Sequence, residues 1–90
     1  MPAVEHLPGR FVLRMDGHVA ELVYERRGNV LDIQHTYTPP PLRGREIAAR
    51  LTEAAFAFAR SEGLHVLPTC SYTAWYVDRH PEVCAPVQDA

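Results

Sequence analysis

The chain changes its hydrophobic period once, and that change divides it. Up to about residue 38 apolar and polar side chains alternate; beyond residue 43 the apolar ones recur every third or fourth position. Phe11, Leu13 and Met15 alternate with Val12, Arg14 and Asp16, which predicts a strand over residues 11–16. Asp16-Gly17 is the kind of dipeptide that closes a two-residue hairpin. Residues 18–26 follow as a second strand, with Val19, Glu21, Val23 and Glu25 on one face and Ala20, Leu22 and Tyr24 on the other. Arg27-Gly28-Asn29 marks another turn. Residues 30–38 then form a third strand, in which Leu31, Ile33, His35 and Tyr37 oppose Val30, Asp32, Gln34 and Thr36. Three strands on tight turns make an antiparallel meander. Residues 1–9, with Pro2, Pro8 and Gly9, read as an irregular lead-in.

Pro39, Pro40 and Pro41 have no amide to donate to a ladder, so the third strand must stop there. Ile47, Leu51, Ala54, Ala55 and Phe58 then share a helical face, while Arg45, Glu46, Arg50, Glu53 and Arg60 fall mostly elsewhere. This spacing predicts a helix over residues 43–61, stopped by Glu62-Gly63. A short strand over residues 64–69 comes next. Ser71 suits the N-cap of a second helix through Arg79, which His80-Pro81 ends. The expected order is β-β-β-α-β-α. It gives an α+β fold, a mostly antiparallel sheet of about four strands with the long helix packed on one face. The fourth strand should lie beside the third through the helical crossover. The opposite face is left either to solvent or to a second copy, so the expected state is a monomer or a weak homodimer.

Ninety residues hold one small core, so residues 1–90 read as a single domain with a tail over 83–90. Apolar residues make up 47% and charged ones 22%, a globular balance. The longest apolar run is the six residues 54–59, far short of the roughly 20 a membrane span needs. No basic patch followed by an apolar stretch opens the chain, so no secretory leader is read and the expected compartment is the cytoplasm. All nine basic residues are arginine. The absence of lysine excludes a phosphate loop built on Gly-Lys, a Schiff-base lysine and a lysine general base. A net charge of −2 argues against a non-specific nucleic-acid binder. Cys70 and Cys84 belong to no CxxC, and His6, His18, His35, His65 and His80 show no paired ligand spacing, so no metal site is expected. A reduced pair of cysteines is expected.

Two segments carry candidate chemistry, each where a strand runs into a helix. The first is PPLRGREIA, residues 40–48. A helix start offers unsatisfied amides and a partial positive charge, which suit a phosphate or pyrophosphate; Gly44 permits close approach, and Arg43 and Arg45 add charge. The same residues also fit a proline-stopped loop with exposed arginines. The second is PTCSY, residues 68–72. A thiol at a helix start can have its pKa lowered; Cys70 can equally be a small buried cysteine. His35, near the end of the third strand, fits either a general base or a core histidine with one satisfied nitrogen. Tyr72, Trp75 and Tyr76 read as packing for the second helix. Arg79-His80-Pro81-Glu82 reads as a helix cap, or as a group reaching phosphates.

Together these residues look like a known family. A strand ending in His35-Thr36-Tyr37-Thr38, then PPPLRGREIAARL, then GLHVLPTCSYTAWYVDRHPE, resembles the minimal-length branch of the GNAT superfamily of acyl-CoA-dependent N-acyltransferases. The resemblance runs from about Arg14 to Glu82. It implies a reduced acetyltransferase core with acetyl-CoA in a cleft splayed between the third and fourth strands. The superfamily's pyrophosphate signature, Q/R-x-x-G-x-G/A, maps onto Arg43, Gly44, Arg45, Glu46, Ile47 and Ala48. Arg43 and Ala48 fit it; Glu46 departs from it, standing where the pattern has glycine. The departure implies weakened coenzyme binding, with Arg50 one turn on as a partner for the carboxylate. Main-chain groups of Thr36, Tyr37 and Thr38 would pair with the pantetheine arm.

Cys70 occupies the position proposed as catalytic in this branch. It would either accept the acetyl group as a thioester or protonate the departing CoA thiolate while His35 deprotonates the amine. Most of the superfamily works by the direct route. The implied activity is acetyl transfer from acetyl-CoA to an amine acceptor. A non-catalytic acyl-CoA-binding or regulatory module is the alternative, to which Glu46 and the brevity of the chain both point.

Overall fold

The computed structural model describes residues 2–81. Five strands form one sheet in chain order: β1 (Glu5–Leu7), β2 (Arg10–Met15), β3 (His18–Arg27), β4 (Val30–Tyr37) and β5 (His65–Pro68). The first four run antiparallel. β5 returns parallel to β4 after the helix α1 (Ile47–Glu62), and α2 (Ser71–Arg79) follows. The fourth expected strand thus lies beside the third, as the crossover requires.

β1 is the strand that the proline-rich lead-in concealed. Pro8 stands outside the ladder, and Gly9, at φ +77°, takes the left-handed residue of the turn, so both breakers lie between strands rather than within one. His6 stacks on Phe11 with centroids 4.1 Å apart, meets Phe58 edge-on, and has its Nε2 2.6 Å from the Tyr24 hydroxyl. Asp16 and Gly17 both have positive φ, 53° and 77°, as a type I′ hairpin demands.

One face of the sheet presents Phe11, Leu13, Ala20, Leu22, Leu31, Ile33 and Val66, all buried, to Ile47, Leu51, Ala55 and Ala59 of α1. α2 joins the same body where Tyr76 stacks on Phe56 of α1. The opposite face carries most of the sheet's charged side chains together with Val19, Val23 and Tyr37. Val12 is fully buried there because Glu5 and Glu21 are its ladder neighbours, Arg10 and Arg14 flank it, and the ion pairs Arg10–Glu21 (3.1 Å) and Arg14–Glu5 (2.9 Å) enclose it.

α1 begins four residues later than its periodicity suggests. Pro40–Leu42 form a 3-10 turn, then Gly44 (φ +80°) and Glu46 (φ +59°) adopt left-handed backbone that no α-helix accommodates. At the other end Gly63 is left-handed, with its amide on Arg60 O and the Leu64 amide on Ala59 O, which closes the last turn. No helix among the described residues is long and apolar enough to cross a membrane.

Candidate active site

A bulge in β4 sets the geometry of the site. Val23 pairs with His35 but Tyr24 pairs with Ile33, so Gln34 is an extra residue with no opposite number. The extra residue inverts the alternation beyond it. Thr36, opposite the buried Leu22, turns to the helix-covered face with Leu31 and Ile33, while His35 and Tyr37 turn to the other face. Simple alternation placed His35 and Tyr37 with Leu31 and Ile33; the structure corrects that. His35 is exposed rather than a core histidine, and Tyr37 is 44% exposed. Among the described residues no hydrogen bond links His35 to Cys70.

β4 and β5 part company at the same level. Their ladder runs from Val30↔His65 to Ile33↔Pro68 and ends there, because β5 stops while β4 continues to Tyr37. The Cys70 amide takes the Ile33 carbonyl at 2.9 Å, and the Thr69 hydroxyl donates to the Asp32 carboxylate. Cys70 is therefore pinned where the two strands diverge, and, among the described residues, 35–37 pair with β3 alone. Asp32 is almost fully buried and also receives Arg27 at 2.8 Å. Burial pushes its carboxyl up, but hydrogen bonds from Thr69, Arg27 and Gln34 and the Arg27 charge outweigh that and hold it below the usual range.

Cys70, not Ser71, is the N-cap of α2: it is extended at φ −67°, ψ 131°, and Ser71 is the first helical residue. The thiol is 9% exposed and lies 3.7 Å from Thr36 Oγ1, to which it donates. Burial pushes its pKa up, yet the amides of Thr73 and Tyr72 and the hydroxyls of Thr36 and Thr73 bring it below the ordinary thiol value.

A cavity of about 250 Å³ opens at the start of α1, lined by Thr38, Leu42, Arg43, Gly44, Glu46, Ile47, Ala48, Ala49 and Tyr72. Among the described residues no side chain caps this helix, which leaves its first amides without a capping group. Arg43 lines the cavity with its Nε donating to Thr38 O at 3.1 Å. Of the expected ligand-binding residues, Thr38, Arg43, Gly44, Glu46, Ile47 and Ala48 thus come together. Thr36 lies one step away on Cys70.

Arg45 does not join them. It reaches across to the β2–β3 hairpin, 3.1 Å from Asp16 Oδ2. Nor does Arg50 pair with Glu46: among the described residues no ion pair joins them, and Arg50 Nη1 is buried without a hydrogen-bond partner. Arg79 lies 5.1 Å over the Trp75 ring, and the His80 amide caps α2 on Tyr76 O. Glu82 and Cys84 lie outside the described residues.

Tyr72 packs against the core and beside Trp75 and Tyr76, as the sequence reading has it, but that reading missed its place at the cavity. It lines the cavity two residues beyond the Cys70 cap, and burial, with the Glu53 and Glu46 charges, raises its pKa, so the phenol stays protonated. Its position two residues after the cysteine, in the first turn of a helix, was the available signal.

An antiparallel meander, one parallel crossover, a bulge beside the point of divergence and a helix start without a side-chain cap make up this core. The same core appears in the NMR structure of a GCN5-like candidate N-acetyltransferase from Staphylococcus aureus, with a TM-score of 0.69 over 96% of this chain and 90% of that one, at 22% identity. The family model for GCN5-related N-acetyl-transferase matches residues 10–87, and the chain belongs to that family. Protein NATD1 from Danio rerio and from Homo sapiens are each 41% identical to it over 83 residues, covering 87% of this chain and 76% and 74% of theirs.

Proposed function

We propose that the chain transfers an acetyl group from acetyl-CoA to an amine. The observation that carries this reading is the adjacency of two features: the cavity at the uncapped start of α1, and a thiol of lowered pKa at the start of α2, with Tyr72 belonging to both neighbourhoods. Arg43, Gly44 and the amides of Ile47 and Ala48 suit a diphosphate. Main-chain groups of Thr36, Tyr37 and Thr38, on a strand edge without a second neighbour, suit the amide-bearing arm of the coenzyme.

In the direct route the amine nitrogen attacks the thioester carbonyl, the carbon–sulfur bond breaks, and the Cys70 thiol gives its proton to the departing sulfur. Hydrogen bonds from its surroundings lower the cost of the thiolate left behind. The amine arrives deprotonated, or loses its proton to His35 where the acceptor enters from the opposite face of the sheet, to which that exposed imidazole turns. In the alternative route the Cys70 sulfur takes the acetyl group first, releasing free CoA, and the amine then attacks that thioester. We adopt the direct route.

Release of free CoA, measured with a panel of amines for the wild type and Cys70→Ala, tests the activity; turnover abolished by the substitution is the expected result. Intact mass after mixing with acetyl-CoA alone separates the routes, because an acetyl adduct that Cys70→Ala abolishes demands the thioester.

Glu46 favours a second reading, an acyl-CoA-binding module without turnover. Its carboxylate lines the cavity meant for phosphates. Protection of amides around residues 44–48 by CoA, with no CoA release from any amine, would establish that module instead.

A further inference from the structure

Two buried threonines, one on each helix, meet different fates. Thr52 on α1 and Thr73 on α2 are both completely buried. Thr52 satisfies its hydroxyl in the ordinary way, donating to the Ala48 carbonyl one turn back at 2.8 Å. Thr73 has no such recourse. It lies in the first turn of α2, and its hydroxyl reaches no carbonyl of the residues before it. Among the described residues Thr73 Oγ1 is left buried without a hydrogen-bond partner. Buried polar groups are rarely left so, and each exception calls for a reason.

The reason lies in the neighbouring sulfur. A neutral thiol has one proton, and Cys70 directs it to Thr36 Oγ1. Sulfur in that state is a donor and only a weak acceptor, so it offers Thr73 little. Loss of the proton turns it into an anionic acceptor. Thr36 can then rotate its hydroxyl to donate, and Thr73 gains the partner it lacks, beside the amides of Tyr72 and Thr73 at the helix start.

We propose that Thr36 and Thr73 are positioning residues for the Cys70 thiolate, forming from two different elements a hydroxyl cradle that is complete only when the sulfur is ionised. It rests on the reading of Cys70 as the reacting sulfur, and it assigns both threonines through their side chains. The charged groups nearby do not do this work. Asp32 on β4 is matched by Arg27, Glu46 and Glu53 act on Tyr72, and His35 faces the other side of the sheet.

The test needs no coenzyme. In a Cys84→Ser background, which leaves one thiol, alkylation of Cys70 by iodoacetamide is followed across pH by mass spectrometry for Thr36→Val, Thr73→Val, Thr36→Ser and Thr73→Ser, with circular dichroism as the check on folding. Each valine variant is expected to raise the midpoint by about one pH unit, hence roughly tenfold less thiolate below it, while each serine variant keeps the parent midpoint. Folded valine variants whose midpoints match the parent would overturn the cradle. So would serine variants shifted as far as the valine ones, since a methyl rather than a hydroxyl would then be responsible. If Thr73→Val does not fold, Thr73→Ser and Thr36→Val decide by the same criteria. Shifted midpoints without acetyl transfer would remove the proposed activity and leave the cradle standing; transfer with unmoved midpoints would do the reverse.

Discussion

Glu46 is the residue at which this chain departs most sharply from what its site asks, and its backbone says how. It sits at φ 59°, ψ 24°, a left-handed conformation, immediately before α1. A side chain there costs roughly 1–2 kcal/mol from contact between Cβ and the carbonyl. Glycine removes that cost but gives back about 0.5–1 kcal/mol of backbone entropy, so Glu46→Gly should stabilise the fold by about 0.5–1 kcal/mol. Glu46→Gln keeps the strain and should leave stability unchanged. The charge acts separately. One carboxylate about 4 Å from one phosphate charge costs about 1 kcal/mol in water, so removing it should tighten CoA binding roughly fivefold in both variants. That gain should shrink in high salt. Urea unfolding reads the first effect and isothermal titration with CoA at two salt concentrations the second. If neither variant binds CoA more tightly than the wild type, the carboxylate does not crowd a phosphate, and the placement of the diphosphate at α1 fails with it. If Glu46→Gly is no more stable than Glu46→Gln, the left-handed residue stores no strain.

Three further expectations separate the parts of the site. Arg43→Ala should weaken CoA binding several-fold in the same titration whereas Arg45→Ala should not, because Arg43 lines the cavity and Arg45 is held by Asp16 on the β2–β3 hairpin. Asp32 has a folded-state pKa below its ordinary value of 3.8, so the stability it contributes is complete above that pH and is lost as pH falls through the lower, folded value. Asp32→Asn should therefore be less stable than the wild type at neutral pH by a constant margin that narrows only below 3.8, measured by urea unfolding across pH. Deleting Gln34 should remove the bulge yet leave His35 opposite Val23 and Thr36 opposite Leu22 in plain alternation, so that Cys70 keeps its parent alkylation midpoint where circular dichroism shows a folded chain; a midpoint raised in the folded variant would refute this register.

What the sequence determined alone were the features written in neighbouring residues. Asp16-Gly17 specifies its turn because only certain residues tolerate two positive φ angles in succession. The proline run ends β4, the three-to-four spacing of Ile47, Leu51, Ala55 and Phe58 makes α1, and Gly63 closes it. The motif residues at the start of α1 followed, since a strand stop, a glycine and a helix start are all local signals. What only the tertiary structure decided were matters of pairing. A bulge belongs to two strands at once, so the alternation along β4 gave no sign that Gln34 would be left over, and His35 and Thr36 were assigned to each other's faces. β1 is too short to show a period, and becomes a strand because β2 offers it a ladder and Phe11 and Phe58 offer His6 a place to stack. Arg45 and Arg43 are alike in sequence, and the hairpin's Asp16 separates them. The hydroxyls around Cys70 come from β4 and α2, 37 residues apart, and no local pattern encodes a meeting that depends on how a parallel strand docks beside a bulged one.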